Sequence, residues 1–141
     1  MKKILLPVDG SEYSKAAAGV AKEMAEKFGA EVVVLRVGEP DFMDMYYSRK
    51  DLEETAENKM KRIAAELIEE DKKLFEGSSL TVNYVTATGD AASKILDVCE
   101  EQGCDFIVIA THGMGAAKRF LVGSVTNKIV HHATVPVLVL R

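Results

Sequence analysis

The chain has 141 residues, enough for one domain with a full hydrophobic core and too few for two of ordinary size. Apolar residues make up 48% and charged residues 28%, which is folded-domain usage and excludes the disordered and fibrous classes. With 18 cationic side chains against 22 anionic ones, the formal charge of −4 argues against a nucleic-acid backbone as partner, while leaving room for a small anion at one local site.

No apolar run approaches the ~20 residues of a membrane span. The apolar stretch after Met1-Lys2-Lys3 ends at Pro7, too soon for a secretory leader, so a cytoplasmic protein with no membrane partner is expected. Cys99 and Cys104 match neither a CxxC redox pair nor zinc-ligand spacing and read as buried thiols.

The first strand, β1, is expected at Ile4 to Val8, followed by a turn, Asp9-Gly10-Ser11. An apolar stripe of Tyr13, Ala16, Ala17, Val20, Ala21, Met24 and Phe28 predicts helix α1, and Val32 to Val37 predicts β2. The connection Gly38 to Lys50 has no clear period yet carries Phe42, Met43, Met45, Tyr46 and Tyr47. It reads as a lid, a subunit contact or a loop packed on its own domain. Helix α2 is expected along Leu52, Ala56, Met60, Ile63, Leu67 and Leu74, with Glu53, Glu54, Lys59, Lys61 and Arg62 on a solvated face. From Leu80 to Val85 apolar and polar residues alternate, which predicts β3 at a sheet edge with one face wet. Ala92, Ile95, Leu96 and Cys99 mark helix α3, and Phe106 to Ala110 marks β4. Val125, Ile129 and Ala133 mark helix α4, with Ser124 as its expected N-cap, and Val135 to Leu140 marks β5.

Strands rich in Val, Ile and Leu that alternate with helices predict an α/β fold, an open, doubly wound, parallel five-stranded sheet with helices on both faces. With β3 at one edge, the simplest winding gives the order 3-2-1-4-5, reversing between β1 and β4. Ligands bind in the crevice beyond the carboxyl ends of strands at such a reversal. The segment after β1 and the stretch ATHGMGAAKRFLVGS, Ala110 to Ser124, are therefore expected to meet there. The first-turn amides of α4 form an anion site, Gly113 and Gly123 keep side chains out of it, and Lys118 and Arg119 lie between them. His112 has no evident carboxylate partner in sequence and is read as a positioning or loop-packing residue, and His131 and His132 as structural at the end of α4. Neither a Walker A motif nor GxGxxG is present. On the opposite edge, β5 is expected to pair with its symmetry mate in a homodimer.

The spacing Gly113, nine residues, Gly123-Ser124 resembles the glycine motif of the universal stress protein family. ILLPVDGS at the start, Gly89-Asp90 before α3, CDFIVIATHG at β4 and a closing PVLVL extend the resemblance across nearly the whole chain. The first glycine of the family pattern falls on Ala110, a departure that adds a methyl group. The resemblance implies a Rossmann-like domain spanning residues 1–141 that binds ATP or AMP, with Mg arriving on the phosphates. It implies nucleotide contacts at Pro7, Val8, Asp9, Val37, Ala110, Thr111, His112, Gly113, Gly115, Gly123, Ser124, Val125 and Thr126. A stress-response binding module is the expected function, with no catalytic or metal-ligating residue assigned. A slow ATPase or nucleotidyl-transfer enzyme using Asp9, and a scaffold that has lost its ligand, stand as alternatives.

Overall fold

Five parallel strands hydrogen-bond in the order β3-β2-β1-β4-β5, the expected winding, in a computed structural model that describes residues 1–39, 55–111 and 122–141. They are β1, Lys3–Val8; β2, Glu31–Gly38; β3, Val82–Thr88; β4, Phe106–Ala110; and β5, Val137–Leu140. Helices α1, Glu12–Phe28, and α2, Ala56–Asp71 with a 3-10 turn at Lys72–Phe75, cover one face of the sheet. Helices α3, Ala91–Glu101, and α4, Ser124–His132, cover the other. The strand period of two divides the core: Ile4, Leu6, Val32, Val34 and Val108 pack under α1 and α2, while Leu5, Val33, Leu35, Ile107 and Ile109 pack under α3 and α4.

Two helices present faces displaced from those expected. On α1 the buried line is Ser14, Ala17, Ala18, Ala21 and Ala25, whereas Tyr13 and Phe28 are 44% and 63% exposed. Small side chains let the helix lie close to the sheet, and the bulkier apolar groups stay outside that contact. On α2 the buried line is Lys59, Ile63, Ala64, Ile68 and Asp71, with Met60 and Leu67 only half-buried. Lys59 is thus buried and does not belong to the solvated face to which the sequence assigned it. Lys61 and Arg62 do face outward, pairing with Glu57 and Glu66. Leu52, Glu53, Glu54 and the Phe42 to Tyr47 cluster lie outside the described residues.

Strand β3 is an edge, as its alternation predicts, but it begins at Val82 and neither face is fully wet. Val82 and Tyr84 pack towards α2, and Val85 and Ala87 towards α3. At the other edge β5 begins at Val137, two residues later than expected, with all four side chains half-buried. Among the described residues, side-chain caps are supplied by Ser11 on α1, Thr55 on α2 and Asp90 on α3. Both cysteines are free and buried, and burial pushes the Cys104 thiol up to about 11. Among the described residues, no helix is long and apolar enough to cross a membrane.

The amino end of β1 is clasped to β4 by Asp105, whose carboxylate accepts from the Lys3 amide at 3.0 Å and the Lys2 amide at 2.9 Å. The Lys3 bond first, then the Lys2 bond, hold Asp105 below the ordinary Asp value of 3.8 in spite of some desolvation. Its stabilisation is complete above that unfolded value and disappears as pH falls through the lower folded one. Thermal unfolding between pH 2 and 6, a window around the ordinary Asp range, is expected to show a shallower acid dependence in Asp105→Asn than in the wild type.

Candidate functional site

The crevice begins where two neighbouring strands stop pairing. Strand β1 pairs with β2 along its whole length, Lys3↔Glu31 to Val8↔Arg36, but with β4 only at Ile4↔Phe106 and Leu5↔Ile107. Both strands continue for three more residues towards their carboxyl ends without pairing to each other, each held by its other neighbour. Pro7, which has no N–H to give, lies in this section of β1. The opening falls at the reversal of strand order, the position expected from the winding.

On the β1 side, Pro7 is half-buried, Val8 is buried under α1, and Asp9 begins the turn into α1. The Ser11 amide donates to Asp9 Oδ1 at 2.9 Å, and the Ser14 amide to Ser11 Oγ at 3.1 Å. Ser14 Oγ donates to the Ser11 carbonyl at 3.0 Å. Gly10, between them, has φ +82°, a left-handed conformation suited to glycine. Val37, near the end of β2, packs on the α3 and α4 side.

On the β4 side, three hydrogen bonds fix the start of α4. The Thr111 amide donates to the Leu140 carbonyl at 2.6 Å, tying the end of β4 to β5. The Gly123 amide donates to the Thr111 carbonyl at 2.6 Å, and Thr126 Oγ1 donates to the Ala110 carbonyl at 2.7 Å. The chain leaves at Thr111 and returns at Gly123 within hydrogen-bond distance, so the base of the glycine-rich segment is closed. His112, Gly113, Gly115, Lys118 and Arg119 lie outside the described residues.

The cap of α4 is Gly123, with φ −61° and ψ 156°, and Ser124 is the first helical residue, one position earlier than expected. A glycine cap has no side-chain oxygen to occupy the first-turn amides. The Asn127 amide is the first to be used, donating to the Gly123 carbonyl at 2.9 Å. Among the described residues, nothing accepts from the amides of Ser124, Val125 or Thr126. Three N–H donors at the positive end of a helix dipole make an anion site, independent of any side-chain charge.

Ala110 is the last residue of β4. It is 8% exposed and joins the cluster under α1 and α2, while Val37 and α4 lie on the opposite face of the sheet. The alternation of side chains along β4 turns this methyl away from that face. His131 and His132 end α4 and are exposed.

The sequence reading missed Arg36 and Asp71. Arg36, 4% exposed in an otherwise apolar strand, donates from Nε to Asp71 Oδ2 at 2.9 Å and from Nη2 to Asp71 Oδ1 at 2.7 Å. The available signal was a cation inside an apolar run, together with an acid on the spacing Ile68, Asp71, Phe75 of a buried helix face.

A model of the universal stress protein family matches residues 1–141. A universal stress protein of Thermus aquaticus is 33% identical over 140 residues, covering 99% of this chain and 98% of the relative. The solved structure of MJ0577 from Methanocaldococcus jannaschii superposes with a TM-score of 0.81 at 29% identity, covering 99% of this chain and 94% of that one. The universal stress protein from Archaeoglobus fulgidus, solved in complex with dAMP, shares the fold with a TM-score of 0.67 at 19% identity, covering 100% and 98% of the two chains.

The Thr126 hydroxyl links α4 to β4, and Thr126→Val retains the shape while removing that buried bond. The unfolding free energy from urea titration is expected to fall by about 1–3 kcal/mol.

Proposed function

The chain belongs to the universal stress protein family, and from that premise we propose that it is an adenine-nucleotide-binding module of the cytoplasm, with ATP or AMP as ligand. The observation that carries this reading is the start of α4, where three amides without a partner among the described residues sit beside the opening between β1 and β4. Phosphate oxygens supply the acceptors those amides need. Each hydrogen bond to a charged group contributes about 1.5–3 kcal/mol, and the helix dipole adds about 0.3–1 kcal/mol. Pro7 and Val37, half-buried at the carboxyl ends of β1 and β2, offer an apolar surface to the base. Asp9 is the partner for the ribose. The Archaeoglobus fulgidus neighbour, solved with dAMP, supports an adenine nucleotide as the ligand class.

Magnesium, where present, arrives on the phosphates. Among the described residues, no group of three His, Cys, Asp or Glu is placed to hold a metal ion. The working unit in this reading is a homodimer through β5, which among the described residues has no strand on its outer edge and whose four side chains are half-buried. Pairing it with a second copy satisfies its backbone groups and closes the sheet. Nucleotide occupancy then reports on the state of the cell, in keeping with a stress-response role.

Gly123→Val places a branched side chain beside the open amides and is expected to weaken ATP binding by roughly tenfold or more in calorimetry, equivalent to losing one charge-assisted bond. Unchanged affinity in the folded variant would falsify the phosphate assignment, and mass spectrometry of the ligand released on denaturation identifies the nucleotide. Ala110→Gly, which restores the family glycine, is expected to alter affinity by no more than about twofold. Its cost is instead about 0.5–1 kcal/mol of stability, measured in the same urea titrations, because glycine in a strand loses more conformational freedom.

A further inference from the structure

Arg36 and Asp71 are a buried charge pair with no place in the nucleotide site as described above. Replacing such a pair with apolar groups of similar volume is often neutral or stabilising, so stability alone is a poor reason for its presence. Its surroundings suggest another reason. A cleft of about 480 Å³ lies between the β1–α1 turn and α2, with Asp9 and Gly10 on one wall and Leu67 and Leu74 on the other. Arg36 and Asp71 line the same cleft and join β2 to the end of α2.

The turn lies over the guanidinium. A Cβ built on Gly10 would lie 3.4 Å from Arg36 Nη2, 3.5 Å from Nη1 and 3.9 Å from Cζ, so the guanidinium group sits one side-chain atom away from the Gly10 backbone. That plane is fixed in turn by its two bonds to Asp71. Gly10 stands between Asp9 and Ser11, which are joined through the Ser11 amide and Asp9 Oδ1. We infer that the Arg36–Asp71 pair is a positioning device for the nucleotide site: it sets the height of the Asp9-Gly10-Ser11 turn and so couples ligand affinity to the packing of α2. The inference rests on the function proposed above, with Asp9 as the ribose partner. Arg36 acts through the turn and touches no ligand.

The test compares two variants with the wild type. Arg36→Met/Asp71→Leu replaces both charges with apolar groups and is expected to remain folded. Arg36→Lys keeps the charge opposite Asp71 and loses the plane. Amide hydrogen exchange at Ser11, followed by NMR in the ligand-free proteins, is expected to quicken by about tenfold in both variants, as the turn opens without unfolding. ATP affinity from calorimetry is expected to fall by about 2- to 30-fold. A purely structural pair would change the unfolding midpoint and leave Ser11 exchange and ATP affinity alone, and that result overturns the inference. Faster exchange with unchanged affinity overturns it as well. If the wild type binds no adenine nucleotide, the proposed function fails, and unchanged Ser11 exchange overturns the positioning role separately.

Discussion

The separation of β1 from β4 beyond Leu5 and Ile107 is the constraint on which the functional geometry depends. In a parallel sheet a central strand normally pairs on both sides along its length. Here β1 stays on β2 to Val8 while the chain beyond Ile107 pairs with β5, as Ala110↔Leu140 shows. The backbone pairing between β1 and β4 therefore ends short of their carboxyl ends, where Pro7 has no N–H to give. The described residues assigned to ligand binding lie at this end of the sheet, because the strand order reverses there and the connections on either side run in opposite directions.

Rigid supports surround the opening. The glycine-rich segment leaves from Thr111 and returns to it through Gly123, and Thr126 ties the first turn of α4 to Ala110. On the other side, the Ser11 cap and Ser14 hydroxyl hold the turn into α1, and the alanine face of that helix lets it lie close to the sheet. Binding groups held by strand ends and helix starts lose little conformational freedom on binding, which favours affinity from a small number of contacts.

Burial of Arg36 is tolerated because its charge is matched. A lone guanidinium at 4% exposure would carry a large desolvation cost, and Asp71 in bidentate geometry offsets much of it. The pair also explains why the α2 stripe runs through Asp71 rather than through residues of uniform apolarity. The buried face of a helix is defined by what it meets, and here part of what it meets is a cation.

Strand positions and their order were legible in the amino-acid sequence, because short runs such as ILLPV and FIVIA, buried on both faces, leave a pattern that depends on local composition alone. The place where the strand order reverses followed from that order, and the spacing of Gly113 to Gly123-Ser124 pointed to the start of α4. Which side of each helix turns inward was less legible: on α1, the stripe drawn through Tyr13 and Phe28 fits the apolar period, yet closeness to the sheet selects the alanines. Likewise the α4 cap moved from Ser124 to Gly123, because backbone torsions, not the availability of a hydroxyl, decide where a helix begins. The sequence by itself therefore determined the strands, their winding and the sheet end at which the strand order reverses, all of which follow from periodicity along the chain. Only the tertiary structure decided that the Ala110 methyl faces away from α4, that three α4 amides are left without a cap, and that Arg36 meets Asp71 beneath Gly10. Those facts depend on distances between segments far apart in sequence, and no local pattern encodes them.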